Sequence, residues 1–326
     1  MKYKILELLK SESGFISGEE IGRILNISRS AVWKNISKLK EFGYNITSST
    51  NKGYHIEDSS NVINDYELKS AINTKVFGKN FICLKETDST NEEAKRQAQK
   101  GVDEGFLVIS ERQTKGKGRL GHIWTHSNSL NLAFSIVLKP KLIPQDITAL
   151  TLIAGLSVCS ALTETGVKAY VKWPNDIIIN GKKAVGILTE ISCEIERINY
   201  VVIGIGINVN EKSFDDELKE KATSLFIETG KIFKKAEILN LVLQKFEENY
   251  YLFMEKGDFK PFIEKYKSLC INMGKEIKAF SKKDVITGVV SDISEKGELV
   301  VKNTENNSVS LVSGEVSVRL KDGRYI

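Results

Sequence analysis

An Asn-Gly dipeptide between two apolar runs constrains the fold of this chain more than any other feature. Asn180-Gly181 separates Ile177-Ile178-Ile179 from Ala184-Val185-Gly186-Ile187-Leu188. Asn-Gly supplies the two residues of positive φ that a type I′ turn needs, so the flanking runs are predicted to pair as an antiparallel hairpin. Adjacent antiparallel strands argue against a purely doubly wound parallel sheet, and we expect a mixed sheet.

The hairpin lies in a long region where helical and strand patterns alternate, and we interpret residues 65–268 as one α/β domain. We predict strands near 81–85, 105–111, 130–138, 168–173, 177–180, 183–191 and 199–208. We predict helices near 65–72, 91–100, 146–165 and 235–255.

The first sixty residues have a different character. Ser17 and Glu20 form a capping-box pattern that opens one short helix, and Ser28 is placed to cap the next. Two helices joined by a three-residue turn predict a helix-turn-helix. Two short strand patterns around a polar turn follow within residues 46–56, as expected of a wing.

The outward face of the second helix and the wing are basic. From Arg29 to Lys52 there are five basic residues and one acid, Glu41, and such an excess suits contacts with phosphate. Residues 1–60 are therefore predicted to form a winged helix-turn-helix DNA-binding domain. The alternative is a small helical domain that binds protein. The candidate DNA-binding residues are Ser28, Arg29, Ser30, Trp33, Lys34, Lys38 and Lys52.

The end of the chain is predicted to be all-β. Residues 288–301 alternate in polarity around a turn at Gly297, and further short strand patterns continue to Val318. We therefore expect residues 271–326 to form a small β-barrel. The whole chain is predicted to be an α+β multidomain protein.

Composition excludes several classes of protein. The four cysteines are widely separated and include no C-x-x-C pair, so neither a zinc knuckle nor a disulfide framework is encoded. Glu7 interrupts the apolar run that a signal peptide would need. The longest apolar stretch, residues 149–162, is shorter than the ~20 residues that span a bilayer. We expect a reduced, soluble, cytoplasmic protein with no membrane partner.

A glycine-rich loop matches a nucleotide-binding pattern only superficially. Residues 116–121 read Gly-Lys-Gly-Arg-Leu-Gly after a credible strand, as G-x-G-x-x-G requires. Helix breakers follow instead of a helix, so the third glycine has no helix to pack against. Glycines flanked by Lys117 and Arg119 suit a phosphate or an acyl-phosphate. The alternative is a surface loop with incidental lysines.

A second group of polar residues follows one strand. Lys172-Trp173-Pro174-Asn175-Asp176 places a lysine, an amide and a carboxylate at one sheet edge, and Lys183 follows shortly after. Lysine offers phosphate a mobile cation, while Asp176 can hold Mg²⁺ or orient that lysine. Taken alone, this run is ordinary turn chemistry.

In their order and spacing these segments resemble the BirA family of bifunctional biotin–protein ligases and biotin-operon repressors. The resemblance covers essentially the whole chain and also includes Asp88-Ser89-Thr90-Asn91, Gln113 and residues 204–208. It implies a central domain like that of class II synthetases and a C-terminal barrel like that of SH3 domains. The biotin-binding residues that it implies are Ser89, Thr90, Asn91, Gln113, Gly116, Lys117, Gly118, Arg119 and Lys183.

The resemblance also implies a reaction and its partners. Biotin and ATP would form biotinoyl-5′-AMP, and a lysine of the biotin carboxyl carrier domain of acetyl-CoA carboxylase would then accept biotin. The adenylate-bound homodimer would bind operator DNA and repress biotin biosynthesis or transport genes. ATP, biotin and Mg²⁺ are expected as substrates and metal ion, with no permanently bound cofactor. The implied nucleotide-binding residues are Lys172, Asn175, Asp176 and Asn208, and the implied catalytic residues are Arg119, Lys183 and Lys172.

The chain departs from the family's loop pattern at two positions. Lys117 and His122 stand where the family usually has arginine. Lysine keeps the charge but lacks the bidentate fork, so the loop's grip on the intermediate or on a dimer partner is expected to weaken. Ser89 to Glu92 can also be interpreted as a capping box for the helix at 91–100.

Other functional classes remain open from the sequence. A redox-sensing repressor that binds NADH would explain the winged helix and the literal G-x-G-x-x-G, but not the missing helix or the terminal barrel. A lipoate-ligase-like enzyme would not explain the winged helix. A ligand-sensing regulator without ligase activity would use the same binding residues.

Overall fold

The computed structural model describes residues 1–57, 61–122, 124, 130–194, 197–280, 285–312 and 317–320. The chain divides into two compact units, Met1–Ala71 with Lys234–Ala236, and Ile72–Phe233 with Glu237–Ile326. Residues 58–60 at the end of the first predicted domain, part of the run after the glycine loop (123 and 125–129) and the last residues of the predicted barrel lie outside the described residues.

The first unit contains the predicted winged helix-turn-helix. Its elements are α1 (Lys2–Ser11), α2 (Gly18–Leu25), α3 (Arg29–Glu41), β1 (Ile46–Ser49), β2 (Gly53–Ile56) and α4 (Asp65–Ala71). The strands β1 and β2 pair antiparallel and form the wing. Gly53 has φ +101°, and a Cβ there would lie 2.1 Å from the carbonyl oxygen of Ile16, so the base of the wing requires glycine.

The helix caps follow the predicted pattern in part. The Ser17 hydroxyl accepts from the Glu20 amide at 3.0 Å, and the Ser28 hydroxyl accepts from the Ala31 amide at 3.2 Å. The Glu20 carboxylate binds the Arg23 guanidinium instead of returning to the cap residue. The cap hydrogen bonds accepted by Ser17 and Ser28 are therefore confirmed. The second bond of the predicted capping box, from the Ser17 amide to the Glu20 carboxylate, is not formed.

Helix α4 lies with the N-terminal elements. The Glu67 carboxylate accepts from the Tyr44 hydroxyl at 2.6 Å and pairs with the Lys10 ammonium at 2.6 Å. The Asn64 amide donates to the same hydroxyl at 3.2 Å. The boundary predicted at residue 65 therefore falls inside the first unit.

The second unit is built on a seven-stranded sheet of order β3-β4-β5-β9-β8-β7-β6. Its strands are β3 (Phe81–Leu84), β4 (Leu107–Ser110), β5 (Leu132–Leu138), β6 (Tyr170–Lys172), β7 (Asp176–Ile179), β8 (Lys182–Cys193) and β9 (Ile198–Ile207). Its helices are α5 (Thr90–Gln99), α6 (Ile147–Glu164), α7 (Leu225–Thr229), α8 (Lys235–Lys256) and α9 (Ile263–Leu269). The predicted strands and helices are confirmed, whereas the short helices α7 and α9 were not predicted because neither is long enough for a clear period.

The sheet is mixed, as the Asn-Gly turn requires. β3 pairs parallel with β4, and the remaining neighbours pair antiparallel. Asn180 and Gly181 have φ +47° and +80°, the two positive values of a type I′ turn.

Helices cover both faces of this sheet. Side chains alternate along β8, so neighbouring residues face opposite sides. Thr189 meets Thr151 of α6 at 2.7 Å on one face, while Glu190 meets Lys95 of α5 at 3.0 Å on the other. The site described below lies on the α5 face.

Helix α6 is longer than the apolar run that the sequence indicated. With the turn before it, Pro144–Glu164 has the length and composition of a membrane span, but most of it is buried inside the protein. A buried core helix passes the same test, and this finding is weak evidence for a membrane segment.

The C-terminal strands form an antiparallel sheet of order β13-β12-β11-β10-β14. They are β10 (Glu276–Phe280), β11 (Val285–Ile293), β12 (Leu299–Asn303), β13 (Ser308–Leu311) and β14 (Ser317–Leu320). This region contacts the central sheet through Trp173. The Trp173 amide donates to the Asn272 side chain at 2.8 Å, and its indole N–H donates to the Gly297 carbonyl at 3.2 Å.

Candidate functional site

The N-terminus of α5 forms one end of a polar pocket. The backbone amide of Thr90 donates to the Gln113 side-chain oxygen at 2.7 Å, and the Thr90 hydroxyl donates to the same oxygen at 3.1 Å. Ser89 stands at the cap position, but its side chain makes no cap hydrogen bond. The alternative interpretation of this segment as a capping box is therefore wrong, because the Ser89 side chain accepts no amide of α5 and the Ser89 N–H donates to the Asp88 carboxylate at 2.7 Å instead of to Glu92.

The Asn91 amide is fixed in orientation from both ends. Its oxygen accepts from the Ser135 hydroxyl at 2.6 Å. Its nitrogen donates to the Glu190 carboxylate at 2.8 Å and to the Leu188 carbonyl at 3.3 Å. Asn91 and Ser135 are buried, so these bonds form in a region of low dielectric, where rearrangement is costly.

Three glycines on β8 and β9 form the floor of the pocket. A Cβ on Gly204 would lie 2.0 Å from the Asn91 side-chain oxygen, and a Cβ on Gly206 would lie 2.5 Å from the Trp124 indole. Gly186, paired with Gly206 across the two strands, also meets this indole. The sequence pattern gave no reason to place Gly204 and Gly206 here except the family resemblance.

Cationic side chains occupy the other end. The Arg119 guanidinium donates to the Asn175 side-chain oxygen at 3.1 Å. Lys183 pairs with Asp176 at 2.5 Å and lies 5.5 Å from the centre of the Trp124 ring. Burial lowers the pKa of Arg119, and the nearby Asp176 partly opposes this shift.

These groups line one cavity of about 420 Å³, which we call the inner cavity. Of the predicted site residues, it brings together Ser89, Thr90, Asn91, Gln113, Lys117, Gly118, Arg119, Asn175, Asp176 and Lys183. A second, outer cavity of about 900 Å³ shares the glycine loop and is lined by Gly116, Lys117, Leu120, Thr148, Thr151 and Ile191 among others.

Two of the predicted biotin- or nucleotide-binding residues, Asn208 and Lys172, are not among the described residues that line either cavity. The Asn208 amide nitrogen donates to the Thr223 carbonyl at 3.0 Å and so fixes the segment after β9. Lys172 is buried close to Asp176, and its burial lowers its pKa to about 7. The nucleotide-binding roles that the resemblance implies for these two residues stay predictions.

The structure adds residues that sequence patterns did not indicate. Arg319 of β14, together with Leu218 and Lys221, lines the inner cavity. Arg319 lies far along the chain from every motif, and a lone arginine in a strand pattern carries no signal. Ser135 and Glu190, which orient Asn91, likewise look like ordinary strand residues.

The described residues contain no group of three or more His, Cys, Asp or Glu side chains that could hold a metal ion. Of the described residues that line the inner cavity, Asp176 is the one carboxylate. This donor set does not make a protein cage for a metal. It suits a magnesium ion that arrives with phosphate oxygens, since such ions keep several waters and take one or two carboxylates.

The first unit presents the predicted DNA-binding face. Val32, Ile36 and Leu39 of α3 are buried, and the outward residues include Trp33, which is 64% exposed. All of the candidate residues are exposed, namely Ser28, Arg29, Ser30, Trp33, Lys34, Lys38 and Lys52.

Family models match three segments of the chain. Residues 82–208 match the biotin/lipoate A/B protein ligase family, residues 2–55 match an HTH domain, and residues 273–319 match the biotin protein ligase C-terminal domain. Together the matches cover both units.

Several known proteins are similar to this chain over most of its length. The bifunctional ligase/repressor BirA of Bacillus spizizenii is 35% identical over 94% of this chain and 95% of its own. That of Escherichia coli is 25% identical over 97% and 96%. Among solved structures, the Aquifex aeolicus biotin protein ligase in complex with biotin and ATP is 39% identical, with a TM-score of 0.67 over 74% of this chain and all of that one.

A methyl group on the pocket floor should destabilise the protein. Gly204→Ala would drive a Cβ into the Asn91 amide, which three hydrogen bonds hold in place, and we expect the free energy of unfolding to fall by about 1–3 kcal/mol in urea titrations. Gly155→Ala in α6 is the matched control, because its Cβ would meet neighbours no closer than 3.7 Å. Equal stability of the two variants would show that the floor is not closely packed.

Lys172 should make stability depend on pH. Its pKa is lowered from 10.5 to about 7 in the folded protein, so between these values only the unfolded state holds the proton. The free energy of unfolding should therefore rise by about 1.4 kcal/mol per pH unit above pH 7 from this group alone. The free energy of unfolding of wild type minus that of Lys172→Met should rise from pH 7 to pH 9 and should not change with pH below pH 7.

The exposed Lys141→Met serves as the control, since its lysine is solvated in both states. A difference between wild type and Lys172→Met that does not change with pH would contradict the lowered pKa.

Proposed function

The chain belongs to the family of bifunctional biotin–protein ligases and repressors, and we propose which of its own residues carry each activity. It is an ATP-dependent biotin–[acetyl-CoA-carboxylase] ligase that forms biotinoyl-5′-AMP, and its helix-turn-helix domain makes it a DNA-binding repressor. The redox-sensing interpretation is not supported, because the glycine loop folds back on itself and the relatives are ligases.

One observation supports the assignment of residues most strongly. The inner cavity joins a rigid set of hydrogen-bonding groups at the α5 end to cations at the other end. A urea-like ring of biotin needs fixed donors and acceptors, and Thr90, Asn91 and Gln113 offer them. The carboxylate tail and the phosphate of an adenylate need positive charge, and Arg119 and Lys183 supply it.

The first chemical step joins two anions. A biotin carboxylate oxygen attacks the α-phosphorus of ATP, a new P–O bond forms, and the bond to pyrophosphate breaks. Repulsion between the reactants must be offset by fixed positive charge, and the geometry of attack must be held. Arg119 and Lys183 are proposed for this role, with Asn175 orienting the arginine and Asp176 orienting the lysine.

Magnesium would neutralise charge on the triphosphate when it is bound with ATP. Asp176 is the residue that would hold it, and Asp176 is also the partner of Lys183. The single carboxylate fits an ion that is bound chiefly by the substrate.

Lys172 adds a charge that responds to the substrate. With its pKa near 7, the side chain is partly neutral at physiological pH before ATP arrives. Negative charge on bound phosphates favours its protonated form, so nucleotide binding should draw a proton to Lys172.

The second step transfers biotin. The neutral amine of an acceptor lysine attacks the adenylate's carbonyl carbon, an amide bond forms, the bond to the AMP oxygen breaks, and the amine loses a proton. The acceptor is proposed to be the biotin carboxyl carrier domain of acetyl-CoA carboxylase. The intermediate is a mixed anhydride, so the glycine loop must keep water from it until the acceptor arrives.

Repression is proposed to require an adenylate-bound homodimer on operator DNA near biotin biosynthesis or transport genes. Helix-turn-helix domains commonly bind paired half-sites as dimers. The outer cavity supports the dimer proposal, because its rim exposes Leu120 and Ile191 beside the loop that contacts the ligand. A ligand that orders this loop could favour the dimer by its differential affinity. We also propose a cytoplasmic location, which the use of ATP, the proposed acceptor and operator DNA supports.

Ligase activity is tested by one incubation. The protein, ATP, biotin, Mg²⁺ and a biotin carboxyl carrier domain should yield a biotinylated acceptor on a streptavidin blot. Lys183→Met should lower the rate by at least about tenfold, because a group that stabilises developing charge is commonly worth more than this. Lys182→Met, one residue earlier on the same strand, is the control.

Absence of product with the wild-type protein would exclude ligase activity. Adenylate that forms without transfer would favour a ligand-sensing regulator.

DNA binding is tested by its salt dependence. Lys34→Ala removes one exposed cation from α3, so the affinity for a DNA duplex of mixed sequence should fall. The negative slope of log K against log salt should become less steep by about one, because one phosphate contact is lost. Lys69→Ala on α4 removes an exposed lysine from the same unit and is the control. Identical slopes for all three proteins would contradict a role of α3 in phosphate contact.

A further inference from the structure

The glycine loop is a small hairpin with its own hydrogen bonds. The Gly118 amide donates to the His122 carbonyl at 2.7 Å, and the Trp124 amide donates to the Gly116 carbonyl at 3.0 Å. A Cβ on Gly116 would lie 2.3 Å from the Trp124 carbonyl oxygen, so this closure requires glycine. Backbone hydrogen bonds therefore hold this loop together, and its side chains connect it to the rest of the site.

Two basic side chains connect this hairpin to the walls of the inner cavity. Arg119 reaches Asn175 on the cationic side. Lys117 reaches the opposite wall, where its ammonium pairs with the Glu92 carboxylate in the first turn of α5. The loop is thus held at both sides of the cavity that it covers.

The Glu92 carboxylate is held ready for this contact. The same oxygen accepts from Lys95 at 2.8 Å, and Lys95 also pairs with Glu190 at 3.0 Å. Glu190 in turn holds the Asn91 amide at 2.8 Å. A continuous series of charged groups therefore runs from the loop to the pocket floor, and a side chain already held by one partner loses less entropy on meeting another.

The Glu92 carboxylate is ionised at neutral pH. Hydrogen bonds from Lys117 and Lys95 lower the pKa of its carboxyl group. Its position in the first turn of a helix also favours negative charge. A lysine matches this contact well, since it is a compact charge that needs one carboxylate oxygen and not a planar pair.

From this geometry we propose that Glu92 is a positioning residue for the ligase reaction. It holds the glycine loop closed over biotinoyl-5′-AMP through Lys117 and so sets the rate at which the intermediate escapes. The inference rests on the proposed function. In it, the partner of Lys117 is the Glu92 carboxylate of the protein and not the ligand. The alternative, in which Lys117 contacts the adenylate directly, makes the opposite prediction, because removal of Glu92 would free the lysine for the ligand.

The experiment measures escape of the intermediate from the full chain. The adenylate is formed in place from biotin and ATP labelled at the α-phosphate, and its loss is followed by filter binding after a chase with unlabelled adenylate. Glu92→Gln and Lys117→Met should each release it about three- to fivefold faster, the effect of one partly exposed ion pair. The double variant should be no faster than either single variant, because both changes break the same contact.

Two comparisons separate this role from a general structural one. Glu93→Gln changes the next residue of α5, whose carboxylate binds Arg96 and Gln97 and not the loop, and it should release the adenylate as wild type does. Raising the salt concentration should accelerate release from wild type more than from Glu92→Gln, because salt screens the pair that the variant lacks. Arg119→Gly, which removes the loop's other contact, should release it rapidly in both salts.

Release from Glu92→Gln that is slower than, or equal to, that of wild type would overturn the proposal, as would additive effects in the double variant. Failure of the proposed function gives a different result, since wild type would then form no labelled adenylate at all.

Discussion

The close approach of two large side chains to bare backbone is the constraint on which the site depends. Asn91 and Trp124 lie directly over the strands β8 and β9 because Gly186, Gly204 and Gly206 leave the sheet surface without side chains. The space that a Cβ would fill becomes the floor of a pocket. Both ends of the proposed site border this contact, since Asn91 belongs to the hydrogen-bonding end proposed for biotin and Trp124 lies next to Lys183 at the cationic end.

Electrostatics then decides how the pocket can work. The site assembles cations that carry partners of their own, Arg119 with Asn175 and Lys183 with Asp176. Buried charge without a partner would cost several kcal/mol per group, by the order of magnitude known for proteins. Paired cations are held in place before any substrate binds. This suits a reaction that needs its substrates positioned and their negative charge stabilised, and that uses no nucleophilic side chain. The scarcity of histidine in the chain agrees with this chemistry.

Much of this architecture follows from local sequence, and the exceptions are instructive. Asn180-Gly181 predicts its hairpin because a type I′ turn is a local event, and Ser28 predicts its helix for the same reason. Arg319 could not be predicted to join the inner cavity, because the contact depends on packing between distant strands. Asn208, which the family resemblance implies as a nucleotide-binding residue, also donates its amide to the Thr223 carbonyl, a contact that no spacing reveals.

The hydrogen bonds of Trp173 have a consequence for how the molecule comes apart. Its amide and its indole are both held by residues of the C-terminal region, and Trp173 directly follows the buried Lys172. The small sheet and the cationic end of the pocket are therefore connected through Trp173, and we expect loss of one to weaken the other. Three domains predicted from the sequence do not imply three independent unfolding transitions, because the central and C-terminal sheets lie in one compact unit and are expected to unfold together.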